Sequence, residues 1–527
     1  METQEEIAHL PVEKRLEINI VQGTKEGLIA NLEEALTQWD PLGVINIPLM
    51  AGMDIVGDLF GKNELIVAEV LQSAEVMKTA VTYLEQFMEK NEANVRGIML
   101  LATVKGDVHD IGKNLVQIIL GNNGYRIIDL GIKCPPEKLI EGYHEHKPTL
   151  IGLSGLLVKS AQQMVTTASD LKAAGIEIPI LVGGAALTEM FTVSKIAPQY
   201  GGSVIYCKDA MTGLSVSNQL SDPATREGFL TNLSEKAAAT LEQKPVPTST
   251  AKREYKEKLV FDHSQVLTPP HYSDVIVTKD LREVWEYVNP QMLYGNHLGL
   301  KGNVRRMIEQ GDEKTLKLKT RMDALKDRII NENLLQATGL YKFFKARADK
   351  NDIVIYDDKT EQEIERFAFP RQTDGLGLCL SDFVPSDRFD SVCMFVVTCG
   401  SGVAELAKDL MDKGEFFDSH AISALALESA EGCAELLHKD IRAAWGIPDD
   451  PALDIDALFK TKYTGIRVSF GYPACPDLED QEKMWTLLRP DEKIGVTLSE
   501  ECMMHPEASV SALVFHHPQA RYFSVNS

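Results

Sequence analysis

The sequence predicts a multidomain protein with an all-α helical bundle first, a doubly wound α/β domain with a five-stranded parallel sheet second, and an α+β domain last. Its 527 residues exceed what a single hydrophobic core organises. Apolar residues recur at intervals of three and four before Val95, whereas short apolar runs alternate with amphipathic stretches after it. We expect the domains at residues 1–93, 94–220 and 271–527, with a linker at 221–270.

The composition indicates which binding partners and which cellular compartment to expect. Lys and Arg number 54 against 77 Asp and Glu, a net charge of −23. That charge argues against nucleic acid and against anionic membranes, and no apolar run approaches the roughly 20 residues that span a bilayer. The eight cysteines form no C-x-x-C pair, and the polar start METQEEIAHLPVEKR does not resemble a secretory signal. We therefore expect a cytoplasmic protein with reduced thiols.

The first domain has helical periodicity without a convincing strand. The segments with this spacing are GLIANLEEALTQW, NIPLMAGMDIVGDLF and IVAEVLQSAEVMKTAVTYLEQFMEK. Residues 12–92 have room for four helices, which is enough for a small bundle.

The second domain alternates five apolar runs with amphipathic stretches. The predicted strands are RGIMLLAT, YRIIDLG, LIGLSG, IPILVGG and GSVIYC, with helices such as IGKNLVQIILGNNG and SAQQMVTTASDLKAAG between them. This alternation predicts a parallel sheet, and ligands of such sheets bind at the carboxyl ends of the strands.

The remaining residues differ in composition. Residues 221–270 are polar, charged and interrupted by proline, which is typical of a linker, helical at most at its start. The final domain mixes a long predicted helix, GNVRRMIEQGDEKTLKLKTRMDALKDRIINENL, with predicted strands at DIVIYDD and SVCMFVVTCG.

Several polar and glycine residues are predicted at the carboxyl ends of these strands. Asp107, His109 and Gly112 follow the first, and Ser154-Gly155, Ser160 and Gly183-Gly184 follow later ones. Individually, helix capping beside a surface histidine or an ordinary turn explains them more often. Together they indicate a ligand site, and a cobalt corrin is one ligand that would need it. His109 would bind the cobalt through one ring nitrogen. Asp107 would accept a hydrogen bond from the other ring nitrogen, which fixes the tautomer.

The segment from about 95 to 215 resembles the cobalamin-binding domain shared by methionine synthases, corrinoid methyltransferases and adenosylcobalamin mutases, which has a flavodoxin-like fold. The resemblance implies that His109 is the cobalt (metal) ligand and that Asp107 and Ser160 form its hydrogen-bonded relay. It also implies a nucleotide channel at Ser154 and Gly183-Gly184. The positions that it assigns to the cofactor are Gly106, Val108, Asp110, Gly112, Ser154, Gly155, Val158, Gly183, Gly184 and Ala185. Val158 stands where methionine synthases commonly have threonine, so it lacks that hydroxyl donor.

The flanking segments resemble two further modules of methionine synthases. Residues around MDIVGDLF look like the helical cap over methylcobalamin, with Phe60 as the aromatic cap residue and Val67 where a leucine is usual. An upper-face cap would exclude water and oxygen from the cobalt.

Residues 466–476, IRVSFGYPACP, resemble the R-x-x-x-G-Y-P-A-C-P signature of the reactivation domain, which binds S-adenosylmethionine. Arg467 would form bidentate hydrogen bonds with the ligand's carboxylate. Gly471 would allow the backbone to approach the ligand closely, and Tyr472 would cover one face of the ligand. Glu431 aligns with an acidic residue near that ligand. Asn289 stands where the family often has an aspartate, and its amide cannot neutralise the ligand's ammonium group.

The resemblance implies the cobalamin-carrying and reactivating portion of a methionine synthase, which moves a methyl group from methyltetrahydrofolate to homocysteine. Oxidised cobalamin would be rescued by one electron from a flavodoxin-type donor and a methyl group from S-adenosylmethionine. The homocysteine and methyltetrahydrofolate modules are expected on a missing N-terminal region or a separate subunit. Two alternatives remain: a stand-alone corrinoid methyl carrier, and a signalling domain that uses Asp107 as an acceptor. An adenosylcobalamin mutase is disfavoured, since it would need neither the cap nor the GYPACP domain.

Overall fold

The computed structural model describes residues 7–88, 95–242, 261–263, 266–373 and 375–525. The chain divides into two compact units. The first comprises Met1–Lys244, Pro290–Lys326 and Ala404–Ala424, and the second comprises Pro245–Asn289, Asp327–Val403 and Leu425–Ser527. Within the expected linker, a helix extends over Pro223–Glu242. Residues 243–260 and 264–265 of that linker lie outside the described part.

The N-terminal residues form the expected four-helix bundle. Its helices are Val12–Gln22, Leu28–Ala35, Pro41–Gly61 and Val67–Leu84. The third helix widens into a π-helical turn at Ile45–Leu49, which contains Pro48. Its Gly52 lies against the first helix, where an added Cβ would be 2.7 Å from Ile20 Cβ. The two helices can therefore pack this closely only with glycine at that position.

The same third helix is the one span in the described ranges that is long and apolar enough to cross a membrane. Length and composition alone are weak evidence, since the core helix of a soluble protein passes the same test. Met50, Met53 and Val56 on this helix are buried in the bundle core.

The second domain contains the expected five-stranded parallel sheet. Its strands, in the order β2-β1-β3-β4-β5, are β1 Gly97–Thr103, β2 Tyr125–Asp129, β3 Leu150–Ser154, β4 Ile180–Gly183 and β5 Val204–Tyr206. The helices that accompany it are Ile111–Gly121, Pro136–His146, Val158–Ala173 and Ala210–Ser221. The helix expected between β4 and β5 is present over residues 189–199, as an α-helical turn Glu189–Phe191, a π-helical turn Thr192–Ile196 and a 3-10 turn Ala197–Gln199.

This strand order is that of flavodoxin-like sheets, whose ligand crevice opens between β1 and β3. In the register of the sheet, Thr103 pairs with Ser154 and Ser154 pairs with Gly183. The ends of three strands therefore lie side by side, as the sequence predicts for the residues that follow them.

The first unit is completed by helices from the C-terminal half of the sequence. These are Gln291–His297 (a π-helix), Val304–Glu309, Glu313–Glu332, Val403–Asp412 and Phe416–Ala444, of which the third and the last continue into the second unit. The single long helix expected from Gly302 to Leu334 is interrupted at Gln310–Asp312.

The second unit is built on a seven-stranded antiparallel sheet. Its strands are β6 Val275–Lys279, β7 Ala337–Asp349, β8 Asp352–Tyr356, β9 Glu363–Ala368, β10 Asp390–Thr398, β11 Ile466–Val468 and β14 Ser509–Phe515. A small hairpin joins β12 Thr497–Leu498 to β13 Met504–His505. The shorter helices of the unit are Leu281–Glu286, Ile455–Phe459, Gln481–Leu488 and Pro490–Lys493.

Candidate functional site

The loop after β1 brings Asp107 and His109 to the carboxyl edge of the parallel sheet. The nitrogen of Asp107 donates to Val104 O at 3.1 Å, and its carbonyl accepts from Lys133 N at 2.9 Å. The loop is thus tied at Asp107 to the strand before it and to the segment after β2. The helix Ile111–Gly121 begins two residues after His109.

The buried carboxylate of Asp107 accepts four hydrogen bonds. Its Oδ1 lies 2.6 Å from His109 Nδ1 and accepts from His109 N at 2.9 Å. Its Oδ2 accepts from Ser160 Oγ at 2.5 Å and from Leu156 N at 2.8 Å. Asp107 and Ser160 are 0% and 1% exposed, so these contacts are shielded from solvent. The hydrogen bonds expected from the sequence are therefore present.

These contacts determine the charge and tautomer of the pair. Burial alone would raise the pKa of Asp107, but its hydrogen bonds to His109 and Ser160 outweigh burial, and the pKa is lowered. An ionised carboxylate only accepts hydrogen bonds, so Nδ1 of His109 is the protonated ring nitrogen. In a neutral imidazole, Nε2 then has a lone pair with which to bind a metal.

Two glycines allow the loops after β3 and β4 to touch. A Cβ on Gly184 would lie 1.7 Å from the carbonyl oxygen of Gly155, and its φ of 148° suits glycine. A Cβ on Gly155 would lie 2.6 Å from Ser160 Cβ and 3.3 Å from Asp107 Oδ2. The close approach to Gly155 is a structural reason for glycine at position 184, and the nucleotide channel at Gly183-Gly184 stays a prediction.

Gly112 has a different setting. An added Cβ there would meet no atom of the described residues within 4 Å, so packing among those residues does not require glycine. Nearby, Leu156 and Val158 are 38% and 70% exposed, which leaves apolar surface next to the Asp107 carboxylate. Three features here fit a flat macrocycle with one axial ligand: the open space at the helix start, the exposed apolar side chains and the imidazole nitrogen of His109.

The other predicted positions of this domain differ in their surroundings. Val108 is buried, whereas Ala185 is exposed. Asp110 occupies the N-cap position of the helix Ile111–Gly121 without a side-chain capping bond, and burial raises the pKa of its carboxyl. In the bundle, the partly buried Phe60 packs against the hydrophobic core. Val67 lies against Gly299, where an added Cβ would be 2.9 Å from Val67 N.

A second candidate site lies in the second unit, around Arg467 on β11. Nη1 of Arg467 donates to Oε2 of Glu435 at 2.6 Å. Sequence reasoning selected Glu431 and missed Glu435, although residues four apart on a helix share a face. That spacing was the available signal.

Glu431 and Tyr472 lie close enough to Arg467 to interact with its charge. Burial raises the pKa of the Glu431 carboxyl; Arg467 opposes this shift, while Glu428 and Glu435 add to it. Tyr472 is exposed on its turn, and the surrounding protein, together with Glu431, raises the pKa of its hydroxyl. The charge of Arg467 therefore influences the pKa of both Glu431 and Tyr472.

The GYPACP stretch forms a tight turn. Gly471 N donates to Cys475 O at 2.9 Å, and Tyr472 and Cys475 form an isolated antiparallel bridge. Gly471 has a φ of 87°, so the turn itself requires glycine there. This supplies a structural reason for Gly471 besides the expected approach of a ligand.

Asn289 follows a segment that is packed against the long helix Phe416–Ala444. A Cβ on Gly432 would lie 2.8 Å from Val284 O, and Trp285 Nε1 donates to Ser429 Oγ at 3.0 Å. The segment leading to Asn289 is therefore held beside the helical turn that contains Glu431.

Family models match three parts of this chain. The model described as "B12 binding domain" matches residues 12–85 and, in a second form, residues 97–206. The model described as "Vitamin B12 dependent methionine synthase, activation domain" matches residues 280–527. The first two ranges contain the helical bundle and the parallel sheet, and the third contains six of the seven strands of the sheet with Arg467.

Similar proteins include two methionine synthases. The one from Mycobacterium leprae is 36% identical and the one from Mycobacterium tuberculosis 37% identical, each over 99% of this chain. The chain spans about half the length of these relatives, 47% in both cases. Among solved structures, a MetH reactivation domain bound to AdoHcy is 28% identical, with 51% of this chain and 86% of that chain covered and a TM-score of 0.48. Two B12 binding domain models and the activation domain model of vitamin B12 dependent methionine synthases thus match this chain in succession, and over its length the chain is similar to about half of two such enzymes.

Proposed function

We propose that this chain is the cobalamin-carrying and reactivating part of a methionine synthase. The observation that supports it best is the fully hydrogen-bonded carboxylate of Asp107, which keeps a proton on Nδ1 of His109. That arrangement prepares Nε2 as the single protein ligand of a cobalt corrin. Bound cobalamin would supply a cobalt centre that accepts and releases a methyl group.

The chain's own residues would hold and orient that cofactor. His109 would bind from the carboxyl edge of the sheet, and Ser160 would stabilise the ionised Asp107. The exposed apolar side chains of Leu156 and Val158 would lose water on contact with the corrin. Phe60 and Val67, in the helical bundle, would cover the opposite face and exclude water.

In the second unit, the proposed ligand is S-adenosylmethionine. Arg467 would bind its carboxylate through charge-assisted hydrogen bonds, and Tyr472 would cover part of the ligand. The carboxyls of Glu431 and Glu435 face a region in which a ligand with a sulfonium and an ammonium group would be favoured.

The complete reaction requires partners. Within the proposal, methyltetrahydrofolate is the methyl donor and homocysteine the acceptor, both bound by modules that correspond to the remaining half of the relatives. A flavodoxin-type protein would supply the electron for reactivation. All eight cysteines are buried free thiols, which supports a reducing compartment such as the cytoplasm.

The visible spectrum of the chain reconstituted with methylcobalamin tests the proposal. We expect nitrogen ligation in the native protein and a base-off spectrum in His109→Ala. The matched control is His144→Ala, an exposed histidine of the same domain, which should leave the spectrum unchanged. Identical spectra for the native protein and His109→Ala would remove His109 as the ligand, and no cobalamin binding would favour the signalling alternative.

A corrinoid methyl carrier is the second candidate. It is favoured by one observation, that the aligned region comprises 47% of the methionine synthases. Calorimetry with S-adenosylmethionine separates the two candidates. Binding that is lost in Arg467→Met but kept in Arg489→Met, at an exposed arginine, would support the reactivation role. Absence of binding to the native protein would support the carrier.

A further inference from the structure

The ion pair between Arg467 and Glu435 is more enclosed than a surface salt bridge. The two side chains are 19% and 8% exposed, and the distance between Arg467 Nη1 and Glu435 Oε2 is 2.6 Å. A guanidinium group has five N–H donors in a planar fork. A contact through Nη1 leaves the edge formed by Nε and Nη2 for a second carboxylate, so one partner can set the plane in which another is bound.

The carboxylate of Glu435 contacts the protein through one of its two oxygens. Glu435 lies within the helix Phe416–Ala444, which has 29 residues, and Oε1 of its carboxylate has no hydrogen-bond partner among the described residues. Its hydrogen bonding to the protein is thus directed at Arg467 through Oε2. A buried carboxylate that is satisfied on one side only is costly, and such groups are kept where they specify an arrangement.

His438, one turn further along the helix, does not compete with Glu435 for Arg467. His438 is 0% exposed, and neither of its ring nitrogens has a hydrogen-bond partner in the described structure. Burial, with Arg442 and Arg467 nearby, places the pKa of His438 well below its ordinary value, so the ring is neutral. Arg442 is paired with Asp449, at 2.5 Å, and its guanidinium lies over the ring of Tyr463. Glu435 therefore remains the acid in direct contact with Arg467.

We propose that Glu435 is a positioning residue: it holds the guanidinium of Arg467 in the orientation that receives the carboxylate of the bound amino acid ligand. The inference rests on the proposed binding of S-adenosylmethionine and adds to it the residue that sets the geometry. Without the charge of Glu435, Arg467 loses its fixed rotamer and must be ordered when the ligand binds.

Calorimetry with two ligands tests the role of Glu435. The full chain is titrated with S-adenosylmethionine and with decarboxylated S-adenosylmethionine, which keeps the sulfonium and the amine. In Glu435→Gln, which keeps the size of the side chain, we expect the affinity for S-adenosylmethionine to fall about tenfold, the scale of one charge-assisted hydrogen bond. Affinity for the decarboxylated ligand should stay unchanged. Glu435→Asp, which keeps the charge, should restore part of the loss.

The matched control is Glu492→Gln, since Glu492 also pairs with an arginine, Arg489, but at the surface. It should change neither affinity. Equal loss of both ligands in Glu435→Gln would overturn the inference, because Glu435 would then support the site as a whole. Native affinity for S-adenosylmethionine in Glu435→Gln would overturn it too, while the proposed function would stand. If the native protein binds neither ligand, the proposed function itself fails.

Discussion

Oδ1 of Asp107 lies 2.6 Å from Nδ1 of His109 and also accepts a hydrogen bond from the backbone nitrogen of the same residue. One carboxylate oxygen thereby fixes both the imidazole ring and the main chain that presents it. The ring and the loop cannot reorient independently, and this coupling is the basis of the first prediction.

Asp107→Asn should weaken ligation by His109 without removing the histidine. An amide has a single acceptor oxygen, so its NH₂ group would face either His109 or the donors Ser160 and Leu156. Loss of such a partner typically lowers metal affinity or activity 10–100-fold. The measurement is the affinity for methylcobalamin, together with the base-on fraction of its visible spectrum.

Ser160→Ala is a milder variant of the same hydrogen-bond network. It removes one hydrogen bond to Asp107 and leaves the carboxylate ionised. Its effect should be smaller than that of Asp107→Asn. A base-on fraction in Asp107→Asn equal to that of the native protein would contradict the assigned relay.

Gly112→Ala tests whether the open space at the helix start belongs to a ligand. Within the described part of the chain, the added methyl group would meet no atom within 4 Å, and alanine in a helix is more stable than glycine by roughly 0.5–1 kcal/mol. We therefore expect unchanged or slightly raised thermal stability, but weaker binding of methylcobalamin.

Gly121→Ala is the matched control, because Gly121 belongs to the same helix and an added Cβ there also lies more than 4 Å from every atom that the structure describes outside its own neighbours. It should leave binding intact. Equal binding by both variants would show that the space at Gly112 is not needed for the cofactor.

Removing one partner of the buried ion pair between Arg442 and Asp449 should destabilise the second unit. The side chains are 1% and 7% exposed. Arg442→Met would leave the carboxylate of Asp449 uncompensated, which typically costs about 3–5 kcal/mol. Arg489→Met, at an exposed pair, should cost about 0–1 kcal/mol. The measurements are the thermal unfolding temperature of each variant and the hydrogen-exchange protection of the amides in β10 and β14. A small, equal shift in both would contradict the prediction.

His438 should make the second unit less stable in mild acid. Its folded-state pKa is well below the ordinary 6.5 because it is buried beside Arg442 and Arg467. Above pH 6.5 the ring is neutral in both states and contributes no pH dependence. Below it, the unfolded chain gains a proton that the folded chain does not accept, so stability falls by up to about 1.4 kcal/mol per pH unit.

His438→Leu should remove this part of the pH dependence. The measurement compares unfolding of the native and variant proteins between pH 7.5 and 5.5, where the variant should show the shallower decline. Parallel declines would mean that His438 is protonated in the folded protein as easily as in the unfolded one.

The sequence predicts the parallel sheet better than the antiparallel one. In the parallel sheet, each strand is a short apolar run between a turn and an amphipathic helix, so periodicity alone locates all five strands. In the second unit the patterns identify β8 and β10 but not β7. That strand, ATGLYKFFKARAD, contains three basic residues, and Lys345 reaches Glu361 while Arg347 donates to Tyr356. Such charges interrupt an apolar run without preventing a strand.

The contacts of the two candidate sites also differ in how far the sequence predicts them. Asp107 and His109 are two residues apart, so their hydrogen bond follows from local geometry, and the sequence by itself determined that pair. Ser160 is 53 residues from Asp107, and motif order alone suggested it. Helical spacing places Glu431 and Glu435 on one face of their helix, but Arg467 lies on a strand 32 residues from Glu435, so the sequence does not say which of the two acids it contacts. The tertiary structure alone decided that contact, because an ion pair depends on the packing of a helix against a sheet, whereas the turns and strand ends depend on neighbouring residues.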